Sequence, residues 1–294
     1  VVILWLNTSK QNLIIKYISI SKKPDVLCEI SGSGQTFFLS DLIGVFIRHS
    51  RLNIQGHTNI KSNAGAYADI KARFSNYLMA YEETTRWFFL NCLSKLNIIG
   101  YDNGSIINKL EVLVQADKVG LRIPESHMVI SKQDLQNVLK NNNEQLITKS
   151  IAIGLSFFDL NKNVSFHQYT AKVDNKTIKR IPNSFPPSFV QNNFDKLFEI
   201  RTFVLDSNCY SWALMSQSNK QTEIDYRNYD WDNPMRVVPY QLPKSIEKKI
   251  HRLMFNLKLR SGSIDFMFTT NGEYVFLEIN PAGQYGYNSD CANT

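Results

Sequence analysis

The stretch SIDFMFTTNGEYVFLEINPAGQ, residues 263–284, places two apolar segments on either side of Asn271-Gly272. An Asn-Gly pair between such segments is the strongest short-range signal of a β-hairpin, because both central residues of a type I′ turn need positive φ. A loop of only these two residues pairs Thr270 with Glu273 and fixes the register of the strands. The sequence therefore predicts an antiparallel strand pair that ends near the Pro-Ala-Gly segment.

This register places Asp265 opposite Glu278, and the alternation of side chains puts Asn280 on the same face. Two carboxylates about 5 Å apart repel by roughly 3 kcal/mol at an effective dielectric constant near 20. A divalent cation such as Mg²⁺ offsets that repulsion and also binds substrate phosphates. The alternative is an exposed hairpin whose acids point to water. The Asn-Pro-x-Gly sequence that ends the second strand favours a site.

The composition is that of a globular protein of moderate size. The 294 residues are 43% hydrophobic and 20% charged, which predicts two or three packed units. No apolar run reaches the roughly 18 residues of a membrane span, and no signal peptide is recognisable. The cysteines (Cys28, Cys92, Cys209 and Cys291) form no C-x-x-C pair. We expect reduced thiols in a cytoplasmic protein, without a membrane partner.

The chain is basic, with 33 Lys and Arg against 26 Asp and Glu. This surplus favours an anionic partner, such as a nucleotide, an acidic peptide or a nucleic acid, although a solvated basic surface has the same composition. The basic residues are dispersed and lack the clustering of a nucleic-acid footprint. We therefore expect no nucleic-acid partner.

The order of predicted elements indicates a mixed α and β protein. Short β-rich segments precede a long helix at 66–98, and a helix-strand-helix-strand series follows from 109, with Gly120 suited to end its first helix. The segment KTIKRIP (176–182) reads as a strand and NSFPPS (183–188) as a linker. Antiparallel strands follow from 189, with a helix at 243–259.

At this point the sequence resembles the ATP-grasp ligases, in which a strand Asp and a strand Glu-x-Asn bind the Mg²⁺ ions that hold ATP. LEINPAGQYGYNSDCAN (277–293) is similar to one branch, the ligases that crosslink ribosomal peptides into graspetides, both microviridin-type and grasp-with-spasm. Matching segments follow in the same order: NKLEVLVQADKVGLRIPES (108–126), LITKS (146–150), FVQNNFDKLFEIRTFVL (189–205) and IDYRNYDW (224–231). The likeness covers 109 to the end, and 37–108 more weakly.

The resemblance implies an α+β protein with the ATP-grasp fold. An N-terminal α/β domain at 1–108 precedes a central subdomain at 109–188 and a C-terminal subdomain at 189–294. The last two clasp ATP, and the C-terminal one carries the metal site.

The resemblance also implies roles for individual residues. Asp265, Glu278 and Asn280 are the metal ligands, and Lys109 and Lys149 contact the phosphates of ATP. Lys149 ends an apolar strand, where an unpaired ammonium is costly, although a lysine that reaches to solvent from a strand end has the same pattern. A solvent-facing lysine is likewise the alternative for Lys109.

Two arginines are assigned to the reacting groups. Arg201 lies in the apolar strand FEIRTFV, where its planar guanidinium needs an anion, and the resemblance makes that anion the γ-phosphate or the acyl phosphate. Arg227 orients the substrate carboxylate, with Asp225 nearby. The alternative for Arg227 and Asp225 is a surface turn with an ion pair.

The adenine contacts are implied for Gln191 and the backbone of Val190. Asn192-Asn193 departs here from the Glu-aromatic pair of many relatives, and Ala282 replaces a second Asn. His127 and His167 are interpreted as structural, and Arg48-His49 is a weaker candidate for substrate binding.

The function that the resemblance implies is an ATP-dependent peptide macrocyclase. A peptide carboxylate becomes an acyl phosphate, and a hydroxyl or amine of the same peptide then forms an ω-ester or ω-amide.

The implied cofactors are ATP and Mg²⁺. The implied partner is a ribosomal precursor peptide, with a leader docked near 150–185. The basic charge of the chain suits an acidic core peptide, and a homodimer is one possible assembly. The alternatives are a RimK-like ligase that joins an amino acid to a peptide or small acid, and a nucleotide-binding protein without catalysis.

Overall fold

The protein is described from a computed structural model that covers residues 12–20, 23–47, 54–55, 68–100, 107–142, 145–151, 156–159, 164–167, 169–228, 230, 232–281 and 283. The chain forms two compact units, Val1–Ile106 and Ile107–Thr294. Cys28, Cys92 and Cys209 are free thiols, as expected, and Cys291 lies outside the described residues.

The first unit combines short strands with one long helix, as the sequence predicts. Its elements are β1 (Leu13–Ser19), β2 (Asp25–Ile30), β3 (Gln35–Phe38), β4 (Val45–Ile47), β5 (Ile54–Gln55), α1 (Ala68–Leu93) and β6 (Ile98–Gly100). The strands form one sheet in the order β3-β2-β1-β5 and a parallel pair of β4 with β6. Phe89 and Leu93 of α1 share a buried core with strand residues such as Leu13 and Val26.

The second unit holds the remaining elements. They are α2 (Lys109–Lys118), β7 (Ser126–Ser131), α3 (Lys132–Asn141), β8 (Leu146–Thr148), β9 (Ser156–Asp159), β10 (Val164–His167), β11 (Ala171–Val173), α4 (Asn175–Arg180), β12 (Ser184–Asn192), β13 (Lys196–Leu205), β14 (Asn208–Leu214), β15 (Val237–Tyr240), α5 (Lys244–Asn256), β16 (Ser261–Thr269) and β17 (Tyr274–Asn280).

An antiparallel sheet in the order β11-β8-β12-β7 carries α3 and α4. Two predictions are wrong here. KTIKRIP contributes to a helix, because Asp174 caps α4 by accepting a hydrogen bond from the backbone N–H of Thr177 at 2.7 Å. NSFPPS enters β12 and is not a linker. Its two prolines lie where the pairing of β12 with β7 is interrupted, between Ser184 and Ser188, so their missing N–H groups break no ladder.

A second antiparallel sheet has the order β15-β14-β13-β16-β17. Helices α2 and α5 pack against one face of it, in a core that includes Ile250, Leu253 and Phe266. As predicted, Gly120 follows the end of α2 with φ +79°, and the N–H of Leu121 bonds back to the carbonyl of Ala116. The division into central and C-terminal subdomains stays a prediction, and the proposed boundary at 188/189 falls within β12.

Candidate active site

The hairpin of β16 and β17 pairs Asp265 with Glu278, which confirms the predicted register at these residues. The predicted two-residue turn is wrong, because the loop contains three residues, 270–272. The N–H of Gly272 donates to the carbonyl of Thr269 at 3.0 Å, and Gly272 has φ +80°. A β-turn followed by a left-handed glycine is the usual form of a three-residue hairpin loop.

A β-bulge restores the register that the longer loop displaces. Next to the loop the pairing is shifted by one residue, so Phe266 faces Phe276. Leu277 is then the extra residue in β17, and Asp265 faces Glu278 again directly beyond it. The bulge turns both Leu277 and Glu278 toward one cleft, while Phe276 stays in the core on the other face.

Cross-strand pairing aligns a row of side chains on the face of the sheet that is opposite the helices. Trp212 of β14 pairs with Arg201 of β13, Arg201 with Asp265, and Asp265 with Glu278. Paired residues of antiparallel strands project to the same side. An arginine and two carboxylates therefore lie side by side on a sheet whose other face is apolar.

Two cations contact these carboxylates. Nη1 of Arg201 lies 3.4 Å from each carboxylate oxygen of Asp265, and Nζ of Lys109 lies 3.2 Å from Oε2 of Glu278. Burial raises the pKa of Asp265 to about 7, against the opposing effect of Arg201. Burial also acts to raise the pKa of Glu278, but Lys109 and Lys149 bring it below its ordinary value. The site thus holds crowded carboxylates that additional positive charge would stabilise.

Lys149 directly follows β8 and lines the same cleft as Asp265 and Glu278. Burial lowers the pKa of Lys149, and the nearby carboxylate of Glu278 opposes that effect. Nε of Arg201 is buried without a hydrogen-bond partner among the described residues. A cleft that presents a desolvated ammonium suits an anionic ligand.

The loop that carries Asp225 and Arg227 also reaches this cleft. Oδ1 of Asp225 accepts hydrogen bonds from the backbone N–H and Nε of Arg227, and Oδ2 accepts from Nη2 of Arg227 and the backbone N–H of Thr170, all within 3.1 Å. Burial favours a higher pKa, but the Arg227 hydrogen bonds bring the pKa of Asp225 down to about 2. Since its acceptor positions are occupied, we interpret Asp225 as a residue that orients Arg227.

Sequence reasoning missed a buried network beside this loop. Nζ of Lys196 lies 2.5 Å from Oε1 of Glu199, which also accepts from Oγ of Ser216 at 3.2 Å. Nζ of Lys196 further bonds to the carbonyl of Ile224 at 3.4 Å. The spacing of Glu199 and Arg201, two residues apart in an apolar strand, was the signal that both lie on the same face of the sheet as Asp265.

Tyr226 is a second residue that sequence reasoning left without a role. Its hydroxyl oxygen accepts a hydrogen bond from Nη1 of Arg201, and its ring lines the cleft. Burial, with the negative charge of Asp265, raises the pKa of Tyr226 above its ordinary value. The hydroxyl is therefore neutral at physiological pH.

The predicted adenine contacts, Val190 and Gln191, do not line the cleft. Both are almost fully buried, and each pairs through its backbone with strands on both sides. Nε2 of Gln191 donates to Oγ of Ser126 at 2.8 Å. Asn193 and Phe194, which directly follow β12, line the cleft instead. The apolar walls of the cleft come from Ile147, Met267 and Leu277.

Asn280 pairs with Ser263, one row beyond Asp265 and Glu278, and its side chain is exposed. The N–H of Gly283 donates to the carbonyl of Asn280 at 2.9 Å. A Cβ at Gly283 would overlap the side chain of Ser263, which explains why a glycine follows the proline here.

Of the remaining candidates, the structure describes the side chain of His127 alone, which does not line this cleft. His127 lies on β7 and contacts Glu125 at 3.1 Å. His167 lies on β10, and its side chain is outside the described part of the chain, as are Arg48, His49 and Ala282.

The donor set around Asp265 fits a hard cation. Among the described residues, no group of three or more His, Cys, Asp or Glu side chains could hold a metal ion. The centre instead offers the two carboxylates of Asp265 and Glu278, which suit Mg²⁺ when substrate phosphates complete its coordination. None of the helices in the described ranges is long and apolar enough to cross a membrane.

The fold is that of the ATP-grasp ligases. The chain superposes on a Chryseobacterium gregarium RiPP-associated ATP-grasp ligase in complex with ADP and a leader and core peptide, with a TM-score of 0.69, 21% identity, and coverage of 94% of this chain and 78% of that one. It also matches two Microcystis aeruginosa macrocyclases. For MdnC bound with precursor peptide MdnA the TM-score is 0.67 at 22% identity (93% and 81% covered), and for MdnB it is 0.63 at 21% (96% and 83% covered).

These likenesses show the ATP-grasp fold that the sequence predicts. No protein-family model and no curated protein matches the chain.

Proposed function

We propose that this protein is an ADP-forming ligase that crosslinks side chains of a ribosomal precursor peptide through ω-ester or ω-amide bonds. The row of Arg201, Asp265 and Glu278 facing Lys149 carries the proposal, because it combines a metal-ligand pair with the cations that a nucleoside triphosphate needs. The neighbours in fold support the substrate class, since two of the three are bound to a precursor or a leader and core peptide.

In this proposal Asp265, Glu278 and Asn280 hold Mg²⁺, which neutralises phosphate charge when it is bound. Lys109, Lys149 and Arg201 contact the phosphates. We move the adenine contact from Val190 and Gln191 to the backbone of Asn193 and Phe194, because those residues line the cleft.

Arg227, held by Asp225, orients the peptide carboxylate that attacks the γ-phosphate. Its side chain is about half exposed, so a guanidinium edge remains accessible to a substrate from the cleft. The resulting acyl phosphate is attacked by a Ser or Thr hydroxyl or a Lys amine of the same peptide, and phosphate leaves.

The partners follow the same chemistry. A leader segment docks near 150–185, where Lys176, Lys179 and Arg180 of α4 supply positive charge, and the core peptide is acidic. A second copy of the chain completes a homodimer, and light scattering of the purified protein measures that state directly.

The decisive experiment incubates the enzyme with ATP, Mg²⁺ and a candidate precursor that contains Thr or Ser, Lys and acidic residues. Mass spectrometry should show the loss of one water per ring, with one ADP released for each. Ligation of free amino acids without any loss of water from the peptide would favour the RimK-like alternative. Nucleotide binding without ADP release would indicate a non-catalytic protein.

A further inference from the structure

We propose that Tyr226 is a further catalytic residue, whose hydroxyl donates a hydrogen bond to the substrate oxygen that carries negative charge when the acyl phosphate is attacked. This inference rests on the proposed function and deepens it. It assigns a hydrogen-bond donor to the second half of the reaction, to which the proposed function gives none.

The position of Tyr226 follows from its two arginine neighbours. Its hydroxyl contacts Nη1 of Arg201, the arginine that touches the Asp265 carboxylate, and Arg227 is the next residue in the chain. In the proposed function Arg201 serves the phosphate and Arg227 the peptide carboxylate. Because Tyr226 contacts Arg201 and lines the same cleft as Arg227, we place its hydroxyl near the carbon that joins the carboxylate to the phosphate.

The O–H group of Tyr226 is available to donate a hydrogen bond. A phenol has one O–H donor and an oxygen that also accepts. Nη1 of Arg201 occupies the acceptor side, and no described residue accepts from the O–H. Because Tyr226 lines the cleft, we direct this donor to a bound substrate.

The chemistry defines the step at which this donor matters. One oxygen of the peptide carboxylate attacks the γ-phosphorus, and the bond from phosphorus to ADP breaks with its electron pair. The other carboxylate oxygen becomes the carbonyl oxygen of the acyl phosphate and loses negative charge. The incoming hydroxyl then forms a C–O bond to the carbonyl carbon, and that carbonyl oxygen becomes an oxyanion. When the C=O bond re-forms, the bond to phosphate breaks with its electron pair, and phosphate takes up the proton of the hydroxyl. A donor on this oxygen therefore favours the second step and not the first.

The test separates the two steps with hydroxylamine, which traps an acyl phosphate as a hydroxamate. Wild type, Tyr226→Phe and the control Tyr274→Phe are compared in crosslink formation and hydroxamate formation. Tyr274 also loses only a hydroxyl, one that bonds to Tyr240 beside the apolar core on the other side of the sheet. We expect Tyr226→Phe to lower the crosslinking rate by about 10²-fold, while hydroxamate formation stays within about twofold of wild type.

The outcomes are distinguishable. Equal losses of crosslink and hydroxamate in Tyr226→Phe, or crosslinking within about threefold of wild type, would overturn the role of Tyr226 and leave the proposed function intact. A wild-type enzyme that forms neither product with any acidic peptide would overturn the proposed function itself. Calorimetry of ADP binding to Tyr226→Phe tests whether the variant is folded. If ADP binds as in wild type, equal losses of crosslink and hydroxamate cannot be ascribed to unfolding.

Discussion

The two faces of the five-stranded sheet are made by the same strands, but one face is apolar and buried and the other carries charged side chains. On one face Ile264, Phe266 and Phe276 are fully buried under α2 and α5. On the other, Arg201, Asp265 and Glu278 occupy consecutive strands and contact one another or Lys109. In β17 the two faces are separated by a single residue, the bulged Leu277.

The contrast shows where stability and activity reside. Apolar burial contributes roughly 25 cal/mol per Å² to folding, so the helix-covered face holds the unit together. Partly buried ion pairs add little net stability, because desolvation offsets much of their attraction. We therefore expect changes on the charged face to abolish turnover with little unfolding, and changes on the apolar face to do the reverse.

The largest effect is expected from Asp265→Asn and Glu278→Gln. Each removes one carboxylate of the proposed metal site and preserves side-chain volume, so ADP release should fall by about 10³-fold or more. Because burial disfavours the charged form of Asp265, the melting temperature of Asp265→Asn should stay within about 3 °C of wild type. Coupled ADP release and thermal melting measure the two quantities, and unchanged turnover in both variants would contradict the assignment of this site.

Phe276→Ala, on the opposite face, should lower the free energy of unfolding by about 3–5 kcal/mol, because it leaves a cavity between the sheet and its helices. Denaturant unfolding measures the loss. Phe276→Leu, the control that removes less of the side chain and stays apolar, should lose less. If Phe276→Ala were as stable as wild type but inactive, the division between the two faces would be wrong.

Asp225→Asn should have an intermediate effect on the free energy of unfolding, and this effect should depend on pH. Its pKa is about 2 in the folded protein against an ordinary 3.8. A carboxyl group with a lowered pKa stabilises the fold fully above its unfolded value, and this contribution is lost as pH falls toward 2. The difference corresponds to about 2 kcal/mol. Urea unfolding of wild type and Asp225→Asn between pH 5 and pH 2 should show a gap that narrows as the pH is lowered, and a constant gap would exclude this role.

The sequence could predict the pairing of Asp265 with Glu278 only because two departures cancel, since the loop is one residue longer than predicted and the bulge at Leu277 adds one residue to β17. The residue types on this face were the local signal. Asp265, Glu278 and Asn280 stand at alternating positions in apolar strands, and Arg201 needs an anion wherever it is buried. The contacts of Val190 and Gln191 could not be predicted in this way. Whether a strand residue faces a cleft or the interior of a sheet depends on which strands lie beside it, and β12 has partners on both sides. The prediction that NSFPPS is a linker failed for the same reason, since only the pairing of β12 with β7 shows that its prolines are tolerated in a strand.

The smallest effect concerns the turn that sets the register. Gly272 has φ +80° with open space around its Cα, so an alanine there meets backbone strain but no clash. Gly272→Ala should cost about 1 kcal/mol of unfolding free energy, and Gly272→Asn less, because asparagine tolerates left-handed backbone better. Denaturant unfolding measures both, and ADP release should be unchanged in both, because the bulge at Leu277 fixes the pairing of Asp265 with Glu278. A loss of activity in Gly272→Ala without a comparable loss of stability would show that the loop, and not the bulge, controls the register of the metal ligands.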